Sequence, residues 1–242
     1  MRSFRTIRSL LSLVCLLTIA APSLVHAQTA AAPAGARFAA DIQQFLDSDK
    51  TSPPPANGIE FIGSSIFRQW TTVAEDMAGL PVFNRAFGGS RTADVNAYIE
   101  RVVLPYKPAM IVYYCGSNDV LDGASGEEIF ANFREFEMRV HRALPHTRIF
   151  YFAINRAPDK RNRWDVVDEA NRLAQEYAYR TANLDYVESN SVLFDAKDEP
   201  LTALYKANGL HFNPPAYVEF TKLIKPVLQR AMMDRKVPAT NN

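Results

Sequence analysis

Five short apolar runs recur through the middle of the chain, at residues 59–62, 81–86, 110–115, 148–153 and 184–187. Each has the length of a strand and is bounded by polar or turn-forming residues, which predicts buried β-strands. Between them lie longer segments whose apolar positions follow a helical period. In residues 126–143, Ile129, Phe133, Phe136 and Val140 recur at spacings of four, three and four, so one face is apolar. Residues 162–181 repeat the pattern with Val166, Ala170, Leu173 and Tyr177. A last helix is predicted from Pro214 to about Met233, opening with prolines that suit a first turn and carrying Tyr217, Phe220, Leu223, Ile224 and Val227. Pro226 falls inside it and is expected to kink it or end a turn. Residues 38–46 also have helical spacing and are expected to pack outside the core, and the prolines of 53–55 end that helix.

Strands alternating with helices of this length predict an α/β fold, a parallel sheet covered on both faces. Ligands in such folds bind outside the carboxyl ends of the strands. No internal repeat or low-complexity tract interrupts the pattern, and one domain is expected at residues 58–235. Residues 28–57 read as a linker and N-terminal helix, and 236–242 as a disordered tail.

The start of the chain follows a different pattern. Arg2, Arg5 and Arg8 precede an apolar run at 10–21, and Val25-His26-Ala27 offers a small residue for cleavage. That is the layout of a secretory signal peptide at 1–27, too short for a membrane span of about 20 residues. A periplasmic or secreted protein with no integral membrane anchor after cleavage is expected. A retained single anchor is the alternative. The full chain has 27 Lys and Arg against 26 Asp and Glu; cleavage removes three arginines and leaves 24 against 26, a net charge of −2. No basic surface for nucleic acid is implied. Of the two cysteines, Cys15 leaves with the leader and Cys115 remains, so the mature chain forms no internal disulfide. Cys115 ends a strand-like run and reads as a small buried thiol.

Four loop fragments that each follow or adjoin these elements carry candidate chemistry. Gly63-Ser64-Ser65 turns from the first strand into a short helix, where free backbone amides favour developing negative charge. Ser65 is the candidate nucleophile and Ser64 the candidate helix cap; an ordinary N-cap is the other reading of the pair. Phe87-Gly88-Gly89 offers backbone amides at close approach, as an oxyanion pocket needs, or a plain turn. Asn118 in Gly116-Ser117-Asn118-Asp119 is an uncharged donor for the same oxygen, or a turn stabiliser. His211, between a glycine-containing loop and a proline-started helix, is a candidate base or a structural histidine. His141 and His146 read as surface residues. The basic loop 155–163, with Arg156, Lys160, Arg161 and Arg163, reads as solvated, with an acidic or carbohydrate partner as the alternative. Trp70, Tyr113, Tyr114, Phe152 and Trp164 fall within the strand and helix patterns and read mostly as core; lining an acyl or sugar pocket is the alternative.

In that order and spacing the fragments resemble the four blocks of the SGNH (GDSL-like) hydrolases. Gly63-Ser64-Ser65 matches the first block and Asn84-Arg85-Ala86-Phe87-Gly88-Gly89 the second. Gly116-Ser117-Asn118-Asp119 matches the third and Asn208-Gly209-Leu210-His211-Phe212-Asn213 the last. The resemblance spans about residues 59–228. It implies a three-layer α/β/α sandwich around a central, mostly parallel five-stranded sheet of flavodoxin-like kind, with neither metal nor cofactor. It implies hydrolysis of esters, often acetyl or acyl groups on carbohydrate or lipid. It assigns Ser65 and His211 to catalysis, and the oxyanion to the amides of Ser65 and Gly89 with the side chain of Asn118. Two positions depart from the family. Ser64 stands where an aspartate is usual, and Asn208 stands where the aspartate of the triad is usual.

The second departure bears on rate, because the carboxylate of a triad holds the histidine tautomer and stabilises the imidazolium. Three outcomes are open: a Ser65–His211 dyad oriented by Asn208 or a backbone carbonyl, a substitute carboxylate from Asp198 or Glu199, or a fold that has kept its pocket and lost its rate. The expected function is an extracytoplasmic esterase acting on a small ester or an acylated carbohydrate or lipid. The rivals are a weakly active or non-catalytic binding protein for acylated cell-envelope carbohydrate and, on weaker grounds, an acyltransferase.

Overall fold

The structure is a computed structural model that describes residues 36–236. The expected leader, most of the linker after it and residues 237–242 of the expected tail lie outside the described residues. Five parallel strands form one sheet: β1 (Ile59–Gly63), β2 (Val82–Asn84), β3 (Met110–Tyr114), β4 (Arg148–Phe152) and β5 (Leu184–Val187). Their order is β2-β1-β3-β4-β5, the flavodoxin-like arrangement. Every residue of β1 and β3 is buried, which is why these strands read as continuous apolar runs rather than alternating ones.

Side chains nevertheless alternate between two helical layers. Ile62, Ile111, Tyr113, Ile149 and Tyr151 face one cluster, filled by α4 (Thr92–Val102), α6 (Gly126–Ala143) and α7 (Trp164–Arg180). Phe61, Val112, Tyr114, Phe150 and Phe152 face the other, filled by the short helices α2 (Ser65–Arg68) and α3 (Val73–Asp76) and by α8 (Pro214–Lys236). Trp70, Tyr113, Tyr114 and Phe152 are all core residues. A single turn, α5 (Ser117–Leu121), follows β3.

Local chemistry accounts for the boundaries of α6. Ser125 accepts a hydrogen bond from the Glu128 amide at 3.1 Å, and the Glu128 carboxylate accepts from the Ser125 amide at 2.8 Å, a capping box. Ile129, Phe133, Phe136 and Val140 are all buried, as their spacing predicts. In α7 the buried stripe is Val167, Ala170, Asn171, Ala174 and Ala178, turned from the predicted Val166, Leu173 and Tyr177. The reason is polar: the buried Asn171 carboxamide accepts from the Ile154 amide at 2.9 Å and donates to its carbonyl at 2.8 Å. α8 begins at Pro214 as expected, contains Pro226 and runs to Lys236, a little past the expected end near Met233.

The N-terminal helix departs from expectation. α1 (Ala39–Asp49) does not pack outside the core; Phe38 and Ile42 are buried within it. Asp49 at its end accepts from Arg85 and from the Tyr106 hydroxyl, and the Arg85 guanidinium lies over the rings of Phe45, Phe83 and Tyr106. A polar clamp beside the second block thus ties α1 down. His141 likewise is half-buried between Glu137 and the Thr147 carbonyl rather than a free surface residue.

Candidate active site

The four sequence fragments converge at the carboxyl ends of β1, β2 and β3. Gly63 makes the first turn possible. Its φ is +139°, and a Cβ there would stand 1.7 Å from the Tyr114 carbonyl oxygen of the neighbouring strand. The chain can therefore leave β1 against β3, and the Ser64 amide donates to that same carbonyl at 3.0 Å. Ser64 occupies the N-cap position of α2, but its buried hydroxyl makes no capping bond. Ser65, half-buried, is the first residue of α2. This helix is a single turn, so its contribution is a few free amides and not a long macrodipole.

The second block wraps beside it. The Phe87 amide donates to the Gly63 carbonyl at 3.0 Å and the Ser90 hydroxyl to the same oxygen at 3.2 Å. Gly88 lies against Ser65: a Cβ on it would be 3.9 Å from the Ser65 Cβ. The third block joins through Asn118, whose Nδ2 donates to the Ser90 carbonyl at 2.8 Å. That bond uses one amide hydrogen and leaves a second for a ligand. Gly89 and Asn118 thus sit on the rim that carries Ser65.

The last block crosses the gap from the far end of the chain. His211 Nε2 lies 3.0 Å from Ser65 Oγ, and Tyr205 pairs with Phe212 across the base of the His211 loop. Burial, followed by the charges of Lys206 and Lys160, holds the His211 imidazole below its ordinary value. The imidazole is neutral over a wider range for it.

Asn208 faces the other ring nitrogen, and the polarity there is informative. Its Oδ1 accepts from the amides of Leu210 and His211 at 3.1 and 3.0 Å, and its Nδ2 lies 2.8 Å from His211 Nδ1. Flipping the carboxamide would set its NH₂ against two amide N–H groups, so the orientation is fixed by the network. Nδ2 therefore donates and Nδ1 accepts. A neutral His211 in this arrangement carries its hydrogen on Nε2, the nitrogen that faces Ser65. A general base needs the opposite tautomer.

Among the described residues, neither carboxylate offered as a substitute hydrogen-bonds the His211 ring. Asp198 is bound by Arg156 at 2.5 Å and Glu199 by Arg161. The loop carrying these arginines is not simply a solvated one. Lys160, in the 3-10 segment Pro158–Arg163, is 1 % exposed and donates to the Ser117 carbonyl at 2.5 Å. Desolvation lowers its ammonium to a pKa of about 8. Beside it Tyr114 bonds both Ser117 Oγ and Asn155 Oδ1. Lys160, Tyr114 and Asn155 form a buried polar floor under the third block. Sequence spacing gave no sign of that floor, since Lys160 sits in an apparently ordinary basic stretch. Among the described residues no group of three His, Cys, Asp or Glu side chains is placed to hold a metal ion, and no helix is long and apolar enough to cross a membrane.

Residues 61–218 match a protein family described as the GDSL-like lipase/acylhydrolase family. Solved structures of the same fold include a protein assigned as an acylhydrolase from Bacteroides fragilis, 18% identical with a TM-score of 0.69, covering 79% of this chain and 97% of that one. A GDSL-like lipase from Bacteroides thetaiotaomicron is 18% identical with a TM-score of 0.65, covering 79% and 98%. A lipase/acylhydrolase from Enterococcus faecalis is 21% identical with a TM-score of 0.59, covering 72% and 96%. No curated protein sequence matches the chain.

Proposed function

The chain belongs to the GDSL-like lipase/acylhydrolase family, and on that premise we propose that it is an extracytoplasmic serine esterase of restrained rate. The observation that carries the reading is the 3.0 Å approach of His211 Nε2 to Ser65 Oγ across 146 residues of sequence. Ser65 Oγ attacks the ester carbonyl, His211 takes its proton, and the alcohol leaves with that proton. Water then cleaves the acyl-serine with His211 again as base. The amides of Ser65 and Gly89 and the free hydrogen of Asn118 Nδ2 hold the oxyanion.

The restraint comes from Asn208. Before His211 can act as base, its hydrogen must move from Nε2 to Nδ1, which breaks the bond from Asn208 and sets two donors face to face. The substrate is a small ester, with an acetyl or short acyl group on carbohydrate or lipid as the preferred class. Membership of a hydrolase family does not favour the rival reading of a binding protein without turnover.

The test is hydrolysis of short-chain aryl esters by mature protein. Wild type is expected to turn over slowly and Ser65→Ala not at all; equal rates for the two would remove the acyl-serine. Asn118→Ala should lower kcat by about 10²–10³-fold if its side chain holds the oxyanion.

A further inference from the structure

Asn208 is followed directly by Gly209 and is exposed to solvent. In that sequence pair the backbone nitrogen of the second residue can close on the side-chain carbonyl of the first, because no Cβ stands in the way. The site adds two features to this general tendency. Asn208 Oδ1 is held by the amides of Leu210 and His211, which draw electrons from Cγ and can carry the negative charge of a tetrahedral adduct. Nδ2, the group that would leave, lies 2.8 Å from a titratable nitrogen, His211 Nδ1.

We propose that Asn208 is a modification site, at which loss of ammonia yields aspartate and converts a poorly poised dyad into a complete triad. The proposal rests on the esterase reading above. The Gly209 nitrogen gives its proton to water and attacks Asn208 Cγ. In the tetrahedral adduct Nδ2 regains a lone pair, accepts a proton from water, and departs as ammonia when the Cγ–Nδ2 bond breaks. A five-membered imide remains. Water then adds at Cγ, the bond from Cγ to the Gly209 nitrogen breaks, and the ordinary backbone returns with a carboxylate at position 208. One water is consumed, one ammonia released, and nothing is oxidised or reduced. Addition of water at the main-chain carbonyl gives the isoaspartyl form instead, whose extra backbone atom displaces the His211 loop. The Gly209 amide donates to the Lys206 carbonyl at 2.9 Å. That bond must open first, so conversion is a slow ageing of the protein and not part of turnover.

The consequence follows from the polarity of the site. In aspartate one oxygen keeps the amides of Leu210 and His211, and the other takes the place of Nδ2 beside Nδ1. It can only accept, so the imidazole hydrogen moves to Nδ1 and Nε2 turns its lone pair to Ser65. The new charge also stabilises the imidazolium formed during attack.

The experiment follows freshly prepared and aged wild-type mature protein, incubated at mildly alkaline pH. Peptide mass analysis reads the fraction of Asn, Asp and isoAsp at position 208, and aryl-ester hydrolysis is measured on the same samples. Asn208→Asp and Asn208→Gln serve as references, with thermal melts to separate folding from chemistry. Wild-type activity should rise in step with the Asp fraction towards that of Asn208→Asp, which exceeds fresh wild type by about 100-fold or more, while Asn208→Gln stays flat; the reverse change in serine proteases costs about 10⁴ in kcat. Asn208 that stays intact on ageing, beside an active Asn208→Asp, overturns the modification and leaves the esterase reading standing. Conversion without gain in rate, or Asn208→Asp no faster than fresh wild type, overturns the activation. A folded Asn208→Asp protein that hydrolyses no ester removes the esterase reading and the proposal together.

Discussion

At the scale of single residues, two lysines shape the site without touching a reacting atom. The charge of Lys206 is the first that opposes protonation of His211, after burial itself. Lys206→Gln should therefore raise the imidazole pKa, and the acid limb of kcat/KM against pH should move upward towards 6.5; an unmoved limb would show that the Lys206 charge does not set it. Lys160 is the buried case. Its folded pKa is about 8 against an ordinary 10.5, so the unfolded chain binds the extra proton between those values. Stability is then lower below pH 8 and recovers as pH rises through the window. Relative to Lys160→Met, wild type should gain up to about 3 kcal/mol between pH 7 and 10.5, at 1.36 kcal/mol per pKa unit, as read by denaturant melts. Cys115 is buried, and desolvation pushes its thiol well above the ordinary range. It should resist thiol reagents in the native protein and react on unfolding, and Cys115→Ser should keep esterase activity. The site residues Ser65, Gly89, Asn118, Asn208 and His211 were legible as residue types in ordered blocks. The direction of the Asn208–His211 hydrogen bond was not, because it depends on where two backbone amides point.

At the scale of elements, the strand-to-helix turns decide where chemistry can stand. Gly63 has no room for a methyl group, since the obstacle is a backbone carbonyl of the central strand and not a movable side chain. Gly63→Ala should cost more than about 4 kcal/mol or prevent folding, a size reserved for such clashes. The α1 helix is the element the hydrophobic pattern mislaid. Its apolar positions are few, so periodicity alone reads it as peripheral. What seats it is a pair of buried side chains, Phe38 and Ile42, and the polar clamp of Asp49 with Arg85 and Tyr106. Ile42→Ala should lower stability by about 2–5 kcal/mol in a denaturant melt if the helix belongs to the core. A helix lying outside it would give a change near zero. The turned stripe of α7 makes the same point: a buried Asn171 that satisfies both backbone groups of Ile154 outweighs the apolar count of the neighbouring face.

At the scale of the whole molecule, the leader and the fold make separate claims. If the leader is processed as proposed, the mature protein should begin at Gln28 and be recovered outside the cytoplasm, which terminal sequencing of the expressed protein would test. Cleavage elsewhere would move that boundary. The alternation of apolar strands and amphipathic helices was enough, by itself, to determine a parallel α/β sheet, because burying both faces of such strands leaves few architectures. Sequence order also determined which loops fall at the carboxyl edge. Only the tertiary structure decided that Ser65 and His211 meet at 3.0 Å, that Asp198 and Glu199 are bound by arginines instead of the imidazole, that Lys160 is buried under the third block, and that Asn208 presents its NH₂ to the ring. The reason is physical: periodicity records how much of each element is buried, whereas contacts between distant loops and the polarity of a hydrogen bond depend on positions in space that no local pattern encodes.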